Sequence, residues 1–212
     1  MNCIELPTGM STMPGSFLDD LRRPRPDPGG GAAAAHGALL GMALAEKIVL
    51  LEQKRTLGRV SEFELWEGLR MEASRLSDLF TWLRTEDVLV YQKLAEALRD
   101  GGDGSRLQGA LVEAIQCPLG IMRGSWEALE LIEAAGTRCK PLLVADVLVA
   151  CEFLGAALLA AHHIACANLP LMLDPSTRER WLAELAAELD RGRERLERVR
   201  TVLEVRHAAG GG

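Results

Sequence analysis

The sequence predicts an all-α protein, an up-and-down bundle of about five long helices. Composition is the first reason. Hydrophobic residues make up 48% of the 212-residue chain but aromatics only 4%, so the core must be mostly Leu, Ala and Val. Ala, Leu and Glu favour helix, and the aromatic and β-branched residues that favour strands are scarce. Spacing is the second reason. Trp66, Leu69, Ala73, Leu76, Phe80, Leu83, Val90 and Leu94 recur at helical intervals. Punctuation is the third: a proline- and glycine-rich run at 22–31, DGGDG at 100–104 and Asp174-Pro175 divide the chain into helix-sized lengths.

In chain order, residues 1–15 are expected to be loose, and Phe17 to Leu21 to form a short amphipathic turn. RRPRPDPGGG then excludes regular structure. Residues 32–51 are apolar on most sides and read as a central helix that starts at the glycine run. Ser61 and Glu64 form an expected capping box for a second long helix ending near Arg99. A third is expected over about 105–135, kinked at Pro118 and stopped by Gly136. A fourth starts near Pro141 and runs to about Asn168. The fifth opens at Asp174-Pro175-Ser176, with Ser176 and Glu179 as its capping box and Leu182, Leu185, Leu189, Leu196, Val199 and Leu203 as its stripe. One domain over 16–205 follows, with 206–212 as a frayed tail.

Charge and cysteines exclude several functions. The chain has 24 Lys and Arg against 30 Asp and Glu, a net charge of −6, which lacks the basic footprint of a nucleic-acid binder. The five cysteines contain no CxxC pair, so neither a zinc ribbon nor a disulfide framework is expected. Cys151 and Cys166 read as small core residues, consistent with a reducing cytoplasm. The first fifteen residues lack the basic-then-apolar order of a leader. Residues 153–173 carry no Asp, Glu, Lys or Arg, a stretch of 21 residues. His162, His163, Asn168 and Pro170 interrupt it, so a buried helix is expected rather than a membrane span.

Residues that break the stripes point to chemistry. Asp87 lies in register with Phe80, Leu83, Val90 and Leu94. Asp146 is the only charged residue between Lys140 and Glu152. Both carboxylates are therefore expected to be buried, either in interhelix hydrogen bonds or as acid–base groups with raised pKa. Glu46-Lys47 reads as a helix edge or a dimer contact, and Lys54 as part of a solvated helix end. His162 and His163 precede Cys166 on one helix, but no third ligand follows at a motif spacing, so no metal site is expected. The glycine run fits either a tight packed turn or a cradle whose backbone N–H groups meet a ligand. It is neither a Walker loop nor a dinucleotide fingerprint.

Together these segments resemble the formiminotransferase-cyclodeaminase C-terminal family, which includes methenyltetrahydrofolate cyclohydrolases. The most specific part is Pro26-Asp27-Pro28-Gly29-Gly30-Gly31, preceded by FLDDL and followed by an Ala-rich helix. Lys54, Asp87 with Tyr91, Asp146 and Asn168 match family positions in order, over residues 16–205. The resemblance implies a helical homodimer that binds a reduced folate and needs no metal or other cofactor. It implies hydrolysis of 5,10-methenyltetrahydrofolate to 10-formyltetrahydrofolate, or the related cyclodeamination of a formimino-folate. The cyclohydrolase is favoured, because no formiminotransferase domain accompanies these residues. Asp87 and Asp146 would be acid, base or cation stabiliser, and Lys54 would orient water or a substrate oxygen. Pro28, Gly29, Gly30, Gly31, Tyr91 and Asn168 would hold the folate. Polar family residues are replaced at Ala32, at Ile164 and in the stretch before Asp146. The alternative is thus a catalytically eroded homologue that binds a folate-like ligand or a partner protein without turnover.

Overall fold

The computed structural model describes residues 16–99 and 104–210, and the secondary structure found there is helical. The helices are α1 (Phe17–Leu21), α2 (Gly30–Arg55), α3 (Val60–Arg99), α4 (Gly104–Gly136), α5 (Val144–Asn168) and α6 (Pro175–Gly210). Short 3₁₀ turns at Pro141–Leu143 and Leu169–Leu171 bracket α5. The expected loose segment 1–15 and most of the DGGDG turn lie outside the described residues. Helices α2 to α5 pack in a ring, each against its chain neighbours and α5 against α2, while α6 lies over α4 and α5. One continuous core fills the ring, with Phe80, Met42, Leu76, Leu83, Ile115 and Leu154 fully buried.

Several local readings are corrected. Helix α3 begins at Val60, so Ser61 sits inside its first turn; the carbonyl of Arg59 accepts from the Phe63 N–H at 2.9 Å. Helix α6 is capped by Asp174, whose carboxylate accepts the Thr177 N–H at 3.0 Å and the Ser176 hydroxyl at 2.8 Å. The Thr177 hydroxyl, which also donates to this carboxylate, and then these bonds hold the Asp174 carboxyl down at about 2. Aspartate supplies two acceptor oxygens where serine has one, and Pro175 follows at the first helical position. Trp181 replaces Leu182 on the buried stripe, Leu182 being exposed. Helix α6 continues to Gly210, so residues 206–210 of the tail expected to fray are helical. Helix α4 contains Pro118 and ends at Gly136, the glycine expected to stop it.

Two further corrections concern the most apolar helices. Helix α2 is not central: Leu40, Leu50 and Leu51 are exposed along one side. Helix α5 likewise leaves Val149 and Phe153 exposed. Both are long and apolar enough to cross a membrane, yet only 44% of each apolar window is buried.

Helix lengths set the position of the cavity described next. The N–H of Ala32, in the first turn of α2, meets Asp87 on α3. Helix α3 continues from there to Arg99, an overhang of about 18 Å at 1.5 Å per residue. The C-terminal residue of α5, Asn168, meets Ala114, so the first turns of α4 overhang as well. The α3–α4 hairpin therefore rises above the ends of α2 and α5 and leaves a step.

Candidate functional site at the glycine turn

A cavity of about 260 Å³ occupies that step. Gly29, Gly30 and Gly31 form one wall, Asp87, Val90, Tyr91 and Leu94 of α3 a second, and Ile164, Ala167 and Asn168 of α5 a third. Asp87 is the one charged residue among those lining it. Its Oδ2 accepts the Ala32 N–H at 2.7 Å, satisfying a donor left open at the start of α2. Burial pushes the Asp87 carboxyl above its ordinary value, and the Ala32 N–H opposes part of that rise. An apolar wall with one retained carboxylate is the arrangement that tunes an acid toward proton transfer.

The glycines are needed for proximity. A Cβ on Gly31 would overlap the Asp87 carboxylate, and one on Gly30 would meet Ile164. Gly31→Ala should therefore displace Asp87 while leaving the bundle folded. A misplacement of ~1 Å costs about 100-fold in rate; steady-state turnover, with helicity measured alongside, checks this.

Tyr91 stands at the mouth, with its ring partly exposed. Asn168 donates its amide N–H groups to the carbonyls of Ala114 (3.0 Å) and Ile164 (3.3 Å), so its amide oxygen is the group left for a ligand. A second hollow, lined by Tyr91, Gln92 and Arg99, continues from the cavity past Pro26 and Tyr91.

The structure brings together Gly29, Gly30, Gly31, Asp87, Tyr91 and Asn168, but it separates Pro28, Asp146 and Lys54 from them. Pro28 lines a neighbouring hollow with Phe17 and Arg84, and Pro26 faces the cavity instead. The expected burial of Asp146 is overturned. Its side chain is 42% exposed and pairs with Lys47 at 2.9 Å. An uncharged helix implies burial only if its whole circumference is covered, and the outer face of α5 is not. Lys47 lies 15 residues beyond Ala32 on α2, about 22 Å along the axis. Lys54 lies 22 residues beyond Ala32, about 33 Å away. It is exposed at the rim of a separate hollow with Leu51, Glu52, Arg55, Lys140 and Leu142.

The contacts that surround the glycine turn had no signal in the linear sequence. The Arg84 guanidinium lies 5.5 Å from the Phe17 ring centroid, and His36 stacks on the same ring at 4.4 Å. Arg84 Nη1 also approaches His36 Nδ1 at 3.3 Å. Burial first, then Arg84, lowers the His36 pKa. Gln92 donates to Asp27 at 2.6 Å. These contacts anchor α1 and the Pro-rich loop, and thereby the glycine turn. Behind Asp87, Cys117 is buried, and its thiol is pushed up to about 12 by burial and the nearby Asp87 and Glu86 charges. His162 Nε2 lies 3.4 Å from Cys166 Sγ. Among the described residues, no group of three His, Cys, Asp or Glu side chains is placed to hold a metal.

The comparisons with known proteins bear on this geometry. The sequence matches the profile of the formiminotransferase-cyclodeaminase family over residues 14–187. The chain belongs to that family. The match takes in the glycine turn, Asp87 and Asn168. The fold is similar to the crystal structure of a formiminotetrahydrofolate cyclodeaminase from Thermotoga maritima, with a TM-score of 0.71. That similarity covers 89% of this chain and 93% of the other, at 23% sequence identity. No curated protein is similar enough to match.

Proposed function

We propose that this member of the formiminotransferase-cyclodeaminase family is an enzyme acting on the one-carbon bridge of a reduced folate. The reaction is hydrolysis of 5,10-methenyltetrahydrofolate to 10-formyltetrahydrofolate, with formimino-folate cyclodeamination as the related chemistry. The observation that carries this reading is Asp87, a partly desolvated carboxylate and the one charge in an apolar, glycine-walled cavity. The methenyl carbon is part of a delocalised cation, which a buried carboxylate stabilises. Water adds to that carbon, and Asp87 accepts a proton from the water. The proton then passes to the ring nitrogen as its bond to the carbon breaks, and the remaining hydroxyl proton is released to solvent as the carbonyl forms, leaving the neutral formyl group on the other nitrogen. One group that takes and returns a proton suffices for hydrolysis. Cyclodeamination makes the same demand, since the proton lost by the attacking ring nitrogen is the one the departing ammonia takes up.

The cavity takes a fused ring, and the hollow beyond Tyr91 takes the rest of the folate. The reading includes no cofactor beyond the folate, action as a homodimer, and a cytoplasmic location. Unpaired thiols at Cys117, Cys139, Cys151 and Cys166 support a reducing compartment. The apolar wall formed by Val90, Leu94, Ala114 and Ile164 favours a second reading, a binding protein without turnover. Loss of the methenyl chromophore decides between them. An enzyme accelerates the decay over buffer. If the protein does not, but a reduced folate still raises its melting temperature, the binding reading holds.

A further inference from the structure

Helices α2 and α3 are tied together twice beside the cavity. The Ala32 N–H donates to Asp87 at 2.7 Å, and Arg84 Nη1 approaches His36 Nδ1 at 3.3 Å. The helices run antiparallel here, so His36 follows Ala32 on α2 while Arg84 precedes Asp87 on α3. About one turn of helix separates the two ties.

The second tie has a fixed proton arrangement. A guanidinium only donates. His36 Nδ1 must therefore accept, and the single imidazole proton lies on Nε2. Phe17 covers the pair: its ring stacks on His36 at 4.4 Å and lies 5.5 Å from the Arg84 guanidinium. Phe17 belongs to α1, which leads through the Pro-rich loop into the glycine turn. A second proton on the imidazole goes to Nδ1. There it sets one N–H against another and a cation against a cation.

The surroundings supply little to offset that charge. On α1, Asp19 and Asp20 are paired with Arg22, Arg23 and Arg25. On α3, Arg84 faces His36, and the Asp87 carboxylate is held by the Ala32 N–H. Helix α2 itself carries no other charge before Glu46, which is bonded to Ser77. On α5, Asp146 and Glu152 pair with Lys47 and Arg200, and His162 lies beside Cys166 with His163 next to it. The charged side chains of α4 pair with α3 or α6. Burial first, and then Arg84, already hold the His36 pKa below its ordinary value.

We infer that Arg84 and His36 are positioning residues for Asp87: their hydrogen bond holds the start of α2 and the glycine turn in place while His36 is neutral, and a proton on Nδ1 releases it. The cavity is thereby made acid-sensitive by a pair that does not line it. The effect on turnover rests on the folate reading; the latch itself does not.

Amide hydrogen exchange of residues 29–36, corrected for its intrinsic pH dependence, tests the latch without any activity. A neutral form favoured by the fold contributes fully above the ordinary imidazole value of 6.5 and is lost as pH falls through the folded-state value. Protection in wild type should therefore drop roughly tenfold across the His36 titration, followed by imidazole NMR in the same sample. His36→Asn keeps an acceptor near the Nδ1 position but takes no proton, so its protection should stay level. Arg84→Met removes the donor and should show the lower protection at every pH. A proton on Nδ1 at neutral pH, wild-type protection that ignores the His36 titration, or a His36→Asn profile as acid-sensitive as wild type would each overturn the latch. Turnover of the methenyl folate is read on the same series. Wild type should lose activity relative to His36→Asn as His36 takes its proton, and identical acid limbs in the two would overturn the positioning role. If wild type turns over no folate, the functional reading fails and the exchange profiles still decide the latch.

Discussion

Replacing Asp87 with Asn should lower turnover by roughly 100- to 10,000-fold, the usual worth of a positioned acid or base, while making the protein more stable at neutral pH. The two effects share one cause. Burial holds the folded-state pKa of Asp87 above its ordinary value of 3.8. A raised acid stabilises the fold fully below that ordinary value, and the contribution is lost as pH rises through the folded-state value. Asn remains neutral throughout, and its amide oxygen can still accept the Ala32 N–H. Melting temperatures of wild type and variant should therefore converge near pH 3.8 and separate as pH rises, with the variant higher. A variant that loses activity and also melts lower at pH 7 would mean that the ionised carboxylate mainly secures the start of α2.

The largest loss of stability is expected at Glu52. Its side chain is 1% exposed, accepts the Lys140 N–H at 2.9 Å, and accepts from Arg55 Nε at 2.6 Å. The carboxylate thus joins the end of α2 to the turn that opens α5. Arg206 reaches the carbonyls of Thr137 and Cys139 in the same turn. Glu52→Ala leaves the Lys140 N–H without its acceptor and the Arg55 cation without its partner. Breaking a buried pair costs about 3–5 kcal/mol. Arg55 is one-third exposed and can turn to water, so about 2–4 kcal/mol is expected after discounting for screening. Urea denaturation of Glu52→Ala and Glu52→Gln checks the assignment. The Gln variant keeps an acceptor for Lys140 and should lose less.

The helices were legible because each stripe had to face a core. On α3 every residue of the predicted stripe is buried except Leu69, which is partly buried. Caps were less legible, because Ser176 and Asp174 satisfy the same donors and only geometry selects the aspartate. At the cavity, Asp87 and the three glycines could be read from pattern, since one breaks an apolar stripe and the others mark the start of a helix. Asp146 looked identical to Asp87 in sequence and differs in structure. Sequence shows how apolar a helix is, but not whether its own chain covers it. The Phe17–His36–Arg84 cluster left no trace, because its members lie on three separate helices and none violates a local pattern.

The unequal helix lengths also bear on how such a protein changes its ligand. The last buried residue of α3 is Ala97, and the hairpin continues past it. Adding or removing one turn there moves the rim by about 5.4 Å without altering a residue of the packed ring. Ligand size and thermal stability are thereby placed on separate stretches of the same two helices. Natural variation in the hairpin tip can reshape what is bound while the bundle beneath it stays the same.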